Sequence, residues 1–190
     1  MEMTTASRPA LSARQMTITG LATAVTCIIG PVAVPIPVSP VPLSLTMLAL
    51  YLAAYVLGMK LGFISCLLYL LLGAVGLPVF SGFSGGLAKL SGPTGGYLIG
   101  FLFLSLICGF FIQRFPGKVW VHAAGMVCGA AVCYLFGTAW LAVPMDLTFR
   151  AALTIGVLPY LPGDVIKIII ALMIGPLLRR QTRKILVQGL

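Results

Sequence analysis

Long apolar runs alternate along the chain with short segments rich in proline, glycine and basic residues. Six of these runs are long enough to form helices that cross most or all of a membrane. Their approximate bounds are residues 17–34, 43–57, 61–75, 95–112, 119–143 and 162–178. The pattern therefore predicts an all-α integral membrane protein with six transmembrane helices.

The composition favours the same class of protein. Hydrophobic residues make up 60% of the chain and charged residues only 8%, whereas about a quarter of the residues in a soluble domain are charged. We expect three parts: a cytoplasmic N-terminal segment over residues 1–15, a six-helix membrane domain over 16–179, and a basic cytoplasmic tail over 180–190.

Basic residues predict how the helices are oriented. On a topology of six helices, one side of the membrane carries only Lys89 and Arg150, and the other side carries the residues Arg8, Arg14, Lys60, Arg114, Lys118, Arg179, Arg180, Arg183 and Lys184. Because positive charge marks the cytoplasmic side, both termini of this multi-pass protein are predicted to lie in the cytoplasm, at the plasma (inner) membrane. The basic residues are dispersed over four segments, which favours contact with the lipid bilayer over binding to nucleic acid.

Three long connections then lie outside the cell, at residues 30–42, 77–94 and 144–161. They are rich in proline and glycine, and the third has room for a short helix. Long loops of this composition adopt defined turns and often bind ligands. We therefore expect long extracellular loops and a substrate site on the outer side.

A pair of opposite charges marks the start of the sixth segment. The chain has three acidic residues, and one of them, Asp164, precedes Lys167 by three positions. This spacing places both side chains on one face of a helix. Charges in a membrane segment are costly, usually paired, and mark substrate or ion sites. The alternative is a buried ion pair that only fixes helix packing.

No motif in the chain predicts catalysis. The one Gly-Lys pair is followed by Val119, where a phosphate-binding loop needs serine or threonine. The stretch GFSG around Ser84 is similar to the serine motif of rhomboid proteases, but the single histidine, His122, is predicted a membrane thickness away from it. The five cysteines lie in apolar runs without CxxC spacing, which indicates unpaired core residues. We expect neither an enzyme nor a metal site.

Two further stretches are similar to a known family of membrane proteins. Residues 76–100 read GLPVFSGFSGGLAKLSGPTGGYLIG, and residues 161–167 read LPGDVIK. Both resemble the BioY family, the biotin-binding S components of energy-coupling factor (ECF) transporters. Residues 40–46, PVPLSLT, also resemble the pattern PVPxTLQ of the family's first loop, with Ser44 and Thr46 at the usual threonine and glutamine.

The resemblance implies a six-helix subunit that captures biotin outside the cell and delivers it inward with a transmembrane coupling protein and two ATPases. The missing phosphate-binding loop fits this division of labour. The implied ligand is biotin, and no cofactor is expected. The competing interpretation is a self-sufficient secondary vitamin transporter driven by an ion gradient. Against it, the chain shows no inverted repeat and no second intramembrane acid.

The resemblance supports Asp164 and Lys167 as biotin-binding residues. An ionised Asp164 can accept from the ureido N–H groups, while Lys167 can neutralise Asp164, donate to the ureido carbonyl or meet the carboxylate of biotin. The other candidates are Phe80, Phe83, Gly85, Gly86, Gly95, Tyr97 and Tyr160. The alternative for the glycines is tight packing, and for the aromatic residues it is anchoring at the membrane interface.

The first segment contains a small-xxx-small pattern, formed by Gly20 and Ala24 on one helix face. S components share a similar Ala-xxx-Ala signature on the first helix, with which they dock on the coupling protein. The resemblance therefore implies a docking role for Gly20 and Ala24. The alternative is packing within this subunit.

Overall fold

A computed structural model describes residues 12–35, 37 and 39–187, with side chains as far as residue 182. This part of the chain forms, in order, α1 (Ala13–Ile29), β1 (Ala33–Val34), β2 (Leu43–Ser44), α2 (Thr46–Ala74), α3 (Leu87–Ser91), α4 (Gly95–Arg114), α5 (Val119–Ala142), α6 (Phe149–Gly156) and α7 (Leu161–Val187). Of the predicted terminal segments, residues 1–11 and 188–190 lie outside the described residues.

The number of helices differs from the predicted six. Seven helices are present over the described residues, and four of them, α2, α4, α5 and α7, are long and apolar enough to cross a membrane. The second and third predicted segments, counted together here as α2, are two helical parts that meet at a break at Gly58. They fold back on each other, because a Cβ atom on Gly62 would lie 3.8 Å from the Cα of Ala54, and Thr46 and Tyr69 both lie next to Gly30. Gly58 has a φ of +74°, a conformation that glycine adopts without steric cost. The helices α3 and α6 are short and lie within the long connections.

Local sequence features mark the starts of α1, α6 and α7. The hydroxyl of Ser12 accepts from the N–H of Gln15, and the Gln15 side chain accepts from the N–H of Ser12, which makes a capping box. Thr148 caps α6 by accepting from the N–H of Ala151. Pro162 lies in the first turn of α7, where its missing N–H has no helical partner to lose.

The helices α4 and α5 form the centre of the fold, and glycines let them approach closely. A Cβ atom on Gly100 would lie 2.9 Å from Cys133, and one on Gly96 would lie 2.2 Å from the Cβ of Trp140. Small residues at helix interfaces allow this backbone approach in membrane proteins. Around this pair, α2 packs against α1, α4 and α7.

A single large core joins α2, α4, α5 and α7. Its most deeply buried large side chains are Leu50, Tyr51, Tyr55, Tyr69, Phe80, Leu104, Ile112 and Met126. All five cysteines are unpaired, and Cys66, Cys108 and Cys133 are buried in this core as predicted, whereas Cys27 is half-buried and Cys128 is exposed.

Helix α1 packs on α2 through hydroxyl groups and turns its apolar side chains outward. The hydroxyl of Thr23 lies 2.9 Å from that of Ser65, and Thr23 also donates to the carbonyl of Thr19, one turn earlier in α1. Leu21 and Ile28 are 64% and 73% exposed. The outer face of α1 is therefore suited to lipid or a protein partner rather than water.

The three long connections meet at one end of the helices, which we call the loop end. The N–H of Gly82 donates to the carbonyl of Pro31 at 3.0 Å, and this bond joins the second connection to the first. The hydroxyl of Tyr160 donates to the carbonyl of Val41, which joins the third connection to the first. The loops thus form a hydrogen-bonded cover next to the start of α7.

Candidate functional site

Asp164 and Lys167 form a buried ion pair in the first two turns of α7. The Lys167 Nζ lies 2.9 Å from the Asp164 Oδ1, and the two residues are only 4% and 6% exposed. Their spacing of three residues places them on one helix face, as predicted. The position of Asp164 in the first turn also brings its negative charge to the positive end of the helix dipole.

Tyr134 of α5 contacts the same carboxylate. Its hydroxyl donates to the Asp164 Oδ2, so that each carboxylate oxygen has a donor. The Tyr134 ring packs edge-on against Tyr97 of α4, with ring centroids 6.3 Å apart. Tyr97 in turn donates to the carbonyl of Gly156 in α6 at 3.0 Å. The site therefore connects four helices through a series of contacts around one carboxylate.

Two small cavities lie beside this series of contacts. One has a volume of about 50 Å³ and is bounded by Asp164, Lys167 and Tyr134 together with residues of the first connection. The other has a volume of about 40 Å³. They share Val41, Pro42, Ser44, Tyr97 and Phe101 as lining residues. The combined space has the ion pair at one end and mainly apolar and aromatic walls.

A larger groove of about 370 Å³ lies between α5, α6 and α7. Its lining is apolar except for Asp164, Tyr134 and Thr138. Asp164 and Tyr134 also line the 50 Å³ cavity. The hydrogen bond between these two side chains therefore lies between the groove and the cavity.

Tyr160 attaches the first connection to the site. It lines the 50 Å³ cavity and donates to the carbonyl of Val41. Burial raises the pKa of the Tyr160 hydroxyl above its ordinary value, so the group stays protonated and remains a donor at neutral pH. Of the predicted candidates, the structure thus brings together Asp164, Lys167, Tyr97 and Tyr160.

The two predicted phenylalanines lie elsewhere. Phe80 is fully buried in the core, with its ring centroid 5.5 Å from that of Tyr69. Phe83 is 71% exposed, and neither ring lines the two cavities. The position of Phe80 depends on Gly73, because a Cβ atom there would lie 2.1 Å from the ring.

The three predicted glycines shape the second connection and do not line the two cavities. A Cβ atom on Gly85 would lie 2.2 Å from the carbonyl oxygen of Leu77, and one on Gly95 would lie 1.8 Å from that of Leu90. Gly86 has a φ of +90°, which favours glycine. These features fit the packing alternative.

Several cavity residues were not selected from the sequence. Tyr134, Met47, Phe101 and Cys133 line the 50 Å³ cavity but lie inside apolar runs, where nothing local distinguishes them from lipid-facing or core residues. Val41 and its neighbouring prolines could be recognised from the sequence, because they belong to the loop pattern at residues 40–46 that resembles the family.

The arrangement can bind a small molecule that has hydrogen-bonding groups at one end and an apolar body. The carboxylate accepts hydrogen bonds, the ammonium donates them, and the remaining walls exclude water. Among the described residues, no group of three or more His, Cys, Asp or Glu side chains is placed to hold a metal ion.

The fold and the candidate site define a helical membrane protein with a buried ion pair at the wall of a cavity. The BioY family model matches residues 3–184, and the chain belongs to the BioY family. Relatives include the probable biotin transporter BioY of Pyrococcus horikoshii, 40% identical over 172 residues that cover 90% of this chain and 100% of that protein. The biotin transporter BioY of Thermotoga maritima is 39% identical over 145 residues, which cover 76% of this chain and 85% of the relative.

A solved structure shares the fold. The crystal structure at 2.1 Å of the S-component for biotin from an ECF-type ABC transporter is similar with a TM-score of 0.83 and 31% identity, over 90% of this chain and 95% of that chain. The relatives are named as transporters, which indicates transport rather than catalysis for this family.

Proposed function

We propose that this chain is the substrate-binding S component of an ECF biotin transporter and that it binds biotin beside Asp164 and Lys167. The observation that carries the proposal is the buried ion pair at the wall of a cavity under the loop end, in a chain of the BioY family. On the proposed topology both termini are cytoplasmic, and the loop end faces the outside.

The chemistry of the cavity suits biotin. The ureido ring of biotin has two N–H donors and one carbonyl, and its thiophane ring is apolar. Asp164 can accept from the ureido N–H groups, and Lys167 can donate to the ureido carbonyl or to the carboxylate of the tail. Tyr97, Phe101 and Met47 supply apolar surface for the thiophane ring.

Biotin requires more room than either cavity offers. Ligand pockets typically measure about 300–1,000 Å³, whereas the two cavities measure about 50 and 40 Å³. Binding within these two cavities therefore requires the residues that both share, including Val41 and Pro42 of the first connection, to move apart. The Tyr160 bond to the carbonyl of Val41 is the contact that such a movement breaks or shifts.

Isothermal titration calorimetry of the purified chain with biotin tests the proposal. We expect wild-type binding, and a loss of about 2–4 kcal/mol in Asp164→Asn, because an amide presents N–H donors toward the ureido N–H groups. Asp146→Asn is the matched control, since Asp146 is exposed on the third connection, and it should bind as wild type does. Absence of wild-type binding would refute biotin as the ligand, whereas unchanged affinity in Asp164→Asn would remove Asp164 from the site.

We further propose that the chain works with a transmembrane coupling protein and two ATPases, docking through Gly20 and Ala24 of α1. Both residues are exposed, and a Cβ atom on Gly20 would meet nothing within 4 Å. Packing inside the subunit therefore does not account for their small size. A smooth, exposed apolar helix face is typical of helix–helix docking in membranes.

Ala24→Trp should leave biotin binding by the isolated chain intact while abolishing assembly with the coupling protein and ATP-dependent uptake. Leu71→Trp is the control, because Leu71 is an exposed residue of another helix, α2, and it should assemble normally. Loss of biotin binding in Ala24→Trp would assign the face to the subunit's own core. Full uptake by the chain without partners would support the self-sufficient transporter instead.

A further inference from the structure

Tyr134 contacts the ion pair from a neighbouring helix. It lies in α5, thirty positions before Asp164, and its hydroxyl donates to the Asp164 Oδ2. Lys167 holds the other oxygen from within α7. Without Tyr134, the only partner of the carboxylate side chain among the described residues would be a lysine on its own helix.

We propose that Tyr134 is a positioning residue for the ligand, which fixes the Asp164 carboxylate so that its remaining lone pairs face the cavity. This inference rests on the proposed biotin function. An ionised carboxylate offers about four lone-pair sites, and Lys167 and Tyr134 occupy one on each oxygen. A carboxylate held at both oxygens cannot rotate freely, so the ligand meets an acceptor that is already oriented.

The hydroxyl and the ring of Tyr134 make different contacts, so their roles can be tested separately. The ring packs edge-on against Tyr97 and lines both the cavity and the 370 Å³ groove. Only the hydroxyl reaches Asp164. Phenylalanine at position 134 would keep the ring and remove the hydrogen bond, so Tyr134→Phe tests the positioning role with little change in packing.

The experiment is a double-mutant cycle on biotin affinity, measured with the full chain in detergent. Tyr134→Phe should raise the Kd for biotin about tenfold, the size expected for one hydrogen bond to a charged group. In the Asp164→Asn background the same change should raise the Kd less than threefold, because the neutral amide holds the hydroxyl more weakly. Replacing Tyr134 with 4-aminophenylalanine, which keeps an N–H donor, should restore most of the affinity.

Tyr97→Phe is the matched control, because the Tyr97 hydroxyl bonds a backbone carbonyl. Its effect should be the same with Asp164 and with Asn at position 164. Wild-type affinity in Tyr134→Phe, or an equal loss in both backgrounds, would overturn the positioning role while leaving biotin as the ligand. If Tyr134→Phe does not fold, failure of 4-aminophenylalanine to support binding in a folded chain would overturn it instead. Absence of biotin binding by the wild type would overturn the proposed function itself.

Discussion

Two buried polar clusters lie along α5, and both pair a tyrosine hydroxyl with an ionisable side chain. Towards the end of the helix, Tyr134 donates to Asp164, which also bonds Lys167. Near its start, the Tyr55 hydroxyl lies 3.2 Å from the Nδ1 of His122. The two positions on α5 are twelve residues apart, or about 18 Å along the helix axis.

The two clusters differ in whether they have hydrogen-bond donors and acceptors left over for a ligand. The Nε2 of His122 lies 2.9 Å from the carbonyl oxygen of Phe115, which can only accept, so Nε2 donates. In the neutral imidazole Nδ1 then accepts from the Tyr55 hydroxyl. Both ring nitrogens are then satisfied by the protein itself. At the other cluster, the Lys167 ammonium has three N–H donors and, among the described residues, uses one of them on Asp164.

The open capacity at Asp164 and Lys167 coincides with the wall of a cavity, whereas His122 lines neither of the two small cavities nor the groove. Burial of a polar group is therefore insufficient evidence for a binding site. What distinguishes the candidate site is a polar pair with donors and acceptors to spare at the wall of a cavity.

The largest effect should come from removing one charge of the ion pair. Lys167→Met leaves the Asp164 carboxylate buried without its cation, and breaking such a pair costs about 3–5 kcal/mol of unfolding free energy. We expect a strongly lowered thermal unfolding midpoint in detergent and loss of biotin binding. Lys118→Met, at an exposed position before α5, should unfold close to wild type. Equal stability of the two variants would mean that Asp164 does not depend on Lys167 for its burial.

An intermediate effect should follow from crowding the cavity without touching a charge. A Cβ atom on Gly137 of α5 would lie 2.2 Å from the ring of Tyr97, and overpacking of this kind costs about 1–3 kcal/mol. Gly137→Ala should therefore lower the unfolding midpoint and weaken biotin binding by displacing Tyr97. Gly20→Ala, where a Cβ meets nothing within 4 Å, should leave both quantities unchanged or slightly raise stability. Wild-type affinity in Gly137→Ala would exclude Tyr97 from the ligand contacts.

The features of the fold and the site that depend on residues close together in the chain can be predicted from the sequence. The spacing of Asp164 and Lys167 predicts their contact because helix geometry alone brings residues three apart together. The apolar pattern likewise places α4, α5 and α7, since a helix in lipid needs an apolar surface along its whole length. The boundary between the second and third predicted segments also falls at the break in α2, because Gly58 and Lys60 interrupt the apolar run there.

The remaining features depend on contacts between distant residues. Tyr134 meets Asp164 across thirty positions and a helix–helix interface, and in the sequence it is one aromatic residue within an apolar run. The glycine-rich motif predicts Phe80 as a ligand contact. In the structure its ring is buried in the core, where it packs directly against Gly73. Such pairings are set by tertiary packing, for which a single sequence has no periodic signal.

The smallest effect, and the sharpest test of the contrast between the clusters, should come from Tyr55→Phe. This change removes the hydrogen bond to the Nδ1 of His122, and one such bond contributes about 1 kcal/mol to stability. Because the cluster has no contact with the cavity, biotin affinity should stay within twofold of wild type while the unfolding midpoint falls slightly. Tyr134→Phe should show the opposite balance, with a clear loss of affinity. If Tyr55→Phe weakened biotin binding as much as Tyr134→Phe does, the His122 cluster would be coupled to the site, and open hydrogen-bonding capacity would no longer distinguish the two.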